Sequence, residues 1–155
     1  MKARDLMTSN PACCAPNDTA ADAARMMAES DCGCIPVVEP RSQRTVGVLT
    51  DRDIVVRGVA KGHDGTARVR DLMTKEPACV GPDADITEVE RLMAETQVRR
   101  VPVVDATGNC LGIVSQADLA RAEVGSSVQP KDVANVVRRI SEPAGAGAAR
   151  SRGPR

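Results

Sequence analysis

This chain is written twice. Arg4-Asp5-Leu6-Met7-Thr8 returns as Arg70-Asp71-Leu72-Met73-Thr74, and Pro11, Cys13 and Pro16 return as Pro77, Cys79 and Pro82, all displaced by 66 positions. The offset holds for Met27 and Met93 and for Ile35-Pro36-Val37-Val38 against Val101-Pro102-Val103-Val104. It falls to 65 at Gly47 and Gly112, because the loop 39–45 has lost one residue in the second copy. A repeat of this length forms a sheet too small to cover both of its faces, so two copies are expected to pack on one another about a pseudo-twofold axis. The copies occupy residues 1–62 and 67–123, joined by the polar, glycine-containing linker 63–66.

Period and punctuation give each copy the order strand, helix, strand, strand, helix, an α/β (α+β) unit. A short extended piece, Ala12-Cys13-Cys14 or Ala78-Cys79-Val80, is cut off by Pro16 or Pro82. A helix follows. Thr19 with Asp22 and Asp85 with Glu88 stand at N-cap spacing, ahead of Ala23, Met26 and Met27 in one copy and Ile86, Val89 and Met93 in the other. The runs Ile35-Pro36-Val37-Val38 and Val101-Pro102-Val103-Val104 then lead through polar turns into a second strand, as hairpins. A second helix starts at Thr50 or Ser115 and carries Ile54, Val55 and Val59, or Leu119 and Ala122. Residues 124–141 are expected to include an amphipathic helix with Val133, Val136, Val137 and Ile140 on one face, and 142–155 to form a disordered tail.

The chain has no Phe, Tyr or Trp. The core must therefore come from Val, Leu, Ile, Met and Ala, and no aromatic platform exists on which a nucleic-acid base could stack. Twenty-one basic and 21 acidic side chains cancel, so no general field draws nucleic acid or an anionic membrane. No apolar run approaches the roughly 18 residues that span a bilayer, and the N-terminus lacks the apolar core of a secretory signal. These readings point to a cytoplasmic protein whose six cysteines are reduced by default.

Both hairpins end in the same pattern, apolar-Gly-apolar-apolar-Thr/Ser-x-x-Asp. It reads Val46-Gly47-Val48-Leu49-Thr50-Asp51-Arg52-Asp53 and then Leu111-Gly112-Ile113-Val114-Ser115-Gln116-Ala117-Asp118. A hydroxyl and a carboxylate three residues apart at a helix start make a capping box. The same junction is where a ligand would sit if the chain is a binding protein. The two roles are compatible.

The doubled pattern Asp-Leu-Met-Thr, helix, Ile/Val-Pro-Val-Val, Gly-x-apolar-Thr/Ser-x-x-Asp resembles a tandem pair of CBS (cystathionine-β-synthase) motifs, a Bateman module. Leu49-Thr50-Asp51-Arg52-Asp53-Ile54-Val55-Val56 and Gln97-Val98-Arg99-Arg100-Val101-Pro102-Val103 are similar to stand-alone bacterial CBS-pair proteins of the hypoxic response protein group. The resemblance implies a regulatory adenine-nucleotide sensor with two related sites for AMP, ADP or ATP in the cleft between motifs. It implies that Asp53 and Asp118 accept from ribose hydroxyls and that Thr50 and Ser115 contact ribose or phosphate. By the same resemblance, Val48, Ile35 and Pro36 would line one adenine slot and Ile113, Val101 and Pro102 the other, while Gly47 and Gly112 let backbone approach the ligand. Arg99 and Arg100, which precede the second Val-Pro-Val, are either a solvated pair or a phosphate grip biased toward the second site, with Arg52 as a further candidate. The resemblance also implies a homodimer and a downstream protein that reads the ligand state.

Catalysis has little support: there is no nucleophile elbow, no P-loop, and the single His63 sits in the linker. No metal-ligand spacing is present either, since Cys32-x-Cys34 lacks the spacer and partner pair of a zinc knuckle. The cysteines read as small buried hydrophobes. The alternative is a stress-response module in which Cys14 with Cys32 or Cys34 carries redox or metal chemistry, Cys13 standing beside them.

Overall fold

A computed structural model describes residues 1–125 together with Ala134, Val137, Arg138 and Ser141. The expected C-terminal helix and tail lie outside the described residues apart from those four positions, each of which is helical.

The elements run α1 (Ala3–Leu6), β1 (Thr8–Ser9), α2 (Ala20–Glu29), β2 (Cys34–Val38), β3 (Thr45–Thr50), α3 (Asp51–Asp53), α4 (Val69–Leu72), β4 (Thr74–Lys75), α5 (Ile86–Thr96), β5 (Arg100–Val104), β6 (Cys110–Ser115) and α6 (Gln116–Gly125). They make two antiparallel three-stranded sheets, β2-β3-β4 and β1-β6-β5. The mixed α/β, pseudo-twofold architecture is the one the repeat implies.

The sheets are not each built from one copy. β1 pairs with β6, Thr8 opposite Ile113, and β4 pairs with β3, Thr74 opposite Val48. Each copy lends its opening segment to the other. The exchange reaches the cores: Ala3 is fully buried with Val89, Met93, Val101 and Leu119, while Val69 and Leu72 are buried with Ala23, Met27, Ile35 and Leu49. The extended pieces near Cys14 and Val80 remain at home, each forming one parallel bridge, to Val37 and Val103.

This crossing explains two glycines. A Cβ on Gly47 would stand 2.5 Å from the Met73 sulfur and 3.0 Å from the Thr74 carbonyl oxygen; one on Gly112 would stand 2.5 Å from Met7 Sδ and 2.9 Å from Thr8 O. The backbone that packs against these glycines is that of the exchanged segment.

The helices of the two copies differ at their starts. Thr19 caps α2 reciprocally, its Oγ1 accepting from Asp22 N (3.1 Å) while Asp22 Oδ2 accepts from Thr19 N (3.1 Å). Asp85 stands at the N-cap of α5 without a side-chain cap bond, because its carboxylate is turned to Lys2 Nζ at 2.9 Å. The helix after β3 also departs from expectation. Beyond α3 it loosens into a π-helical turn (Ile54–Gly58) and then a 3₁₀ turn (Val59–Lys61), ending at left-handed Gly62. Ile54 packs on the first core, but Val55, Val56 and Val59 are 57%, 45% and 63% exposed.

Candidate functional site

Strand alternation sorts the hairpin residues onto two faces. Ile35, Val37, Leu49, Val101, Val103 and Val114 point into the two cores; Cys34, Pro36, Val48, Thr50, Arg100, Pro102, Ile113 and Ser115 lie on the opposite faces. Ile35 and Val101, placed by the resemblance in adenine slots, are therefore core residues, 1% and 0% exposed. Pro36 is on the right face but is fully buried.

The opposite faces open into a cleft of about 710 Å³. Gly33, Cys34, Val48, Thr50, Asp51, Arg52 and Asp53 line it from the first half; Thr74, Glu76, Pro77 and Ala78 line it from the crossing segment; Thr96, Gln97, Val98, Arg99, Arg100 and Pro102 close it from the second half. The size is within the range of small-molecule sites. Arg99 and Arg100 thus share a cavity with Thr50, Arg52 and Asp53. The sequence reading had paired them with the second Ser-x-x-Asp. Arg100 does stand opposite Ser115 in the β ladder, yet its guanidinium lies near enough to Cys34 to oppose part of the rise that burial imposes on that thiol. A smaller cavity of about 580 Å³, lined by Ala24, Met27, Asp31, Ile54 and Val55 among others, shares Gly33, Asp51 and Arg100 with the first. Neither cavity includes Ser115, Asp118 or Ile113.

The capping role exists at both junctions. Asp53 N donates to Thr50 Oγ1 and Thr50 N to Asp53 Oδ2, both at 3.0 Å. Asp118 N donates to Ser115 Oγ at 3.2 Å, and Asp118 Oδ2 accepts from Ser115 N and Oγ at 2.7 and 2.6 Å. The second oxygen separates them. Asp118 Oδ1 takes a close hydrogen bond from Arg121, whereas Asp53 Oδ1 is 3.7 Å from Arg57 Nε. Arg57 is held elsewhere, its Nη1 donating to the carbonyls of Leu72 and Met73 at 3.1 and 3.0 Å. Asp53 Oδ1 is thus the carboxylate oxygen with room for a new donor.

Burial pushes the Cys14 and Cys34 thiols up to about 12, so both are protonated at neutral pH. Among the described residues, no three or more His, Cys, Asp and Glu side chains are grouped to hold a metal ion. No helix among them is long and apolar enough to cross a membrane.

Two repeats that exchange their opening segments, with the Thr50–Asp53 junction of the first and Arg99 and Arg100 of the second on one cleft, define a tandem α/β module. The CBS domain family model matches residues 3–58 and 69–125, and the chain belongs to that family. It is similar to Hypoxic response protein 1 of Mycobacterium tuberculosis (strain ATCC 25618 / H37Rv), 41% identical over 120 residues, which covers 77% of this chain and 82% of that protein. Among solved structures it resembles Hypoxic Response Protein I with two coordinated zinc ions (39% identity, TM-score 0.71, 78% of this chain and 98% of that one). It also resembles CBSX2 in complex with AMP (29% identity, TM-score 0.70, 80% and 96%).

Proposed function

We propose that this CBS pair is a non-enzymatic regulatory module that binds an adenine nucleotide, AMP, ADP or ATP, in the cleft between its halves. The observation that carries the reading is the convergence of Thr50 and Asp53 from one half with Arg99 and Arg100 from the other on a single cavity. Asp53 Oδ1 accepts from the ribose diol, Val48 and Pro102 flank the base, and Arg100, with Arg99 and Arg52, meets phosphate. The AMP complex of its relative CBSX2 supports the ligand class. Ser115 and Asp118 mark a second, related site, in which Arg121 must release Asp118 before a diol can enter.

A ligand touching both halves favours one arrangement of them, and a downstream protein reads that arrangement. The exposed Val55, Val56 and Val59 support a homodimer, because three apolar side chains on one short helical segment are uncovered in the protomer. The balanced charge and the lack of aromatics argue against nucleic-acid or membrane partners and fit a protein working in the cytoplasm.

The test is thermal denaturation, followed by circular dichroism because the chain has no Trp or Tyr, with AMP, ADP, ATP and S-adenosylmethionine. An adenine nucleotide raises Tm in a concentration-dependent way. No shift at millimolar concentrations of any of the four overturns the reading.

A further inference from the structure

The two strand-to-helix junctions carry very different charge. The cleft at Thr50 and Asp53 is lined by the charged residues Asp51, Arg52, Asp53, Glu76, Arg99 and Arg100. At the repeat offsets their counterparts are Gln116, Ala117, Asp118, Asn10, Gly33 and Cys34, so only Asp53 has a charged twin. Acidic and basic groups thus gather together on one side of the pseudo-twofold axis. They line the cleft without neutralising one another. Among the described residues, none of Arg52, Arg99 and Arg100 forms an ion pair, and the Glu76 carboxylate has neither an ion pair nor a hydrogen bond.

Glu76 is the unexpected member of the set. It extends the exchanged strand past Thr74, its N–H donating to Val46 O at 3.2 Å, as Asn10 N donates to Leu111 O at 3.2 Å in the other copy. Both residues have a φ of 48°, in the left-handed region. Asn enters that region readily because its short side chain bonds locally; Glu has no such advantage, so the turn alone does not account for it. A side chain kept in a disfavoured backbone conformation, with an unpaired charge on a binding cavity, points to a role in recognition.

We propose, on the basis of the nucleotide site described above, that Glu76 sets the phosphate count of the ligand, so that the cleft takes a nucleoside monophosphate in preference to the triphosphate. The guanidiniums of Arg52, Arg99 and Arg100 supply donors enough for one phosphate group. Over the cavity as a whole their charge is cancelled by Asp51, Asp53 and Glu76. Each further phosphoryl group brings negative charge that no unmatched guanidinium is left to meet, and like charges brought together at a binding surface oppose association. Asp53 is committed to the helix cap and the ribose diol, and Asp51 Oδ1 accepts from Arg52 N at 2.8 Å. Glu76 is the carboxylate left to repel.

The test is calorimetric titration of AMP and of ATP into the full chain, in EDTA and at low ionic strength, where charge is least screened. The wild type binds AMP at least about fivefold more tightly than ATP. Asp and Asn both fit a left-handed turn, so they separate charge from shape. Glu76→Asn raises ATP affinity relative to AMP by about tenfold, and Glu76→Asp retains the AMP preference. ATP bound as tightly as AMP by the wild type overturns the proposal without recourse to a variant. So does an AMP-to-ATP ratio that Glu76→Asn leaves unchanged or that Glu76→Asp abolishes. A gain in ATP affinity on adding Mg²⁺ that Glu76→Asn removes overturns it as well, making the carboxylate a metal ligand. Where AMP binds and these ratios fail, only the role of Glu76 falls; where neither nucleotide binds, the nucleotide reading falls with it.

Discussion

Met7 lies over Gly112 so closely that a Cβ on the glycine would stand 2.5 Å from its sulfur, and the same contact recurs between Met73 and Gly47. Residues more than a hundred positions apart are thus locked in one layer. Gly112→Ala must displace both the Met7 side chain and the Thr8 carbonyl, 2.9 Å from the new atom. A loss of about 1–3 kcal/mol is expected from overpacking of this kind, measured by urea denaturation. Adding Met7→Ala recovers only part of it, since the carbonyl clash remains.

The exchanged opening segment is expected to hold the second half together. Removing residues 1–9 takes Ala3 out of the core formed with Val101 and Val114, strips the partner strand from β6 and frees Asp85 from Lys2. Hydrogen exchange should then show lost protection in Cys110–Ser115, with Thr45–Thr50 in the other sheet less affected.

Acid should act partly through the cap of α2. Arg25, at 2.5 Å, and then Thr19 hold the Asp22 carboxyl down at about 2. The folded value lies below the unfolded one of about 3.9, so this contribution is fully present above pH 4 and lost as pH falls toward 2. The Tm difference between the wild type and Asp22→Asn, measured from pH 6 to pH 2, should shrink over that window. A constant difference would remove the carboxylate from the account.

Val55, Val56 and Val59 predict the behaviour of the assembly. Val55→Glu with Val59→Glu places charge on an apolar surface the protomer leaves open and should shift a dimer to monomer in analytical ultracentrifugation, with little change in Tm of the monomer itself.

Several of these relationships were legible in the residues. The 66-residue offset defined the two copies, and Thr19-x-x-Asp22 and Thr50-x-x-Asp53 defined helix starts that the structure contains. Which copy each opening segment joins was not legible, because a two-residue strand such as Thr8–Ser9 carries no pattern and its partner is a tertiary choice. For the same reason the packing of Met73 on Gly47 and of Met7 on Gly112 was not legible. Ile35 and Val101 were misplaced because period 2 assigns a face only once the register with Leu49 and Val114 is known. Arg100 was assigned to its own copy because linear adjacency hides a side chain that reaches across to Cys34. The cysteine pairs considered from sequence were near neighbours, Cys14 with Cys32 or Cys34.

The account rests on the meeting of Asp53 and Arg100 in one cleft, and calorimetric titration of AMP into the wild type, Asp53→Ala and Arg100→Ala tests it most directly. The wild type binds, and each variant binds at least about tenfold more weakly, a change of about 1.4 kcal/mol, while keeping a folded circular-dichroism spectrum. Equal AMP affinity in all three proteins, or no heat from the wild type at millimolar AMP, would contradict it.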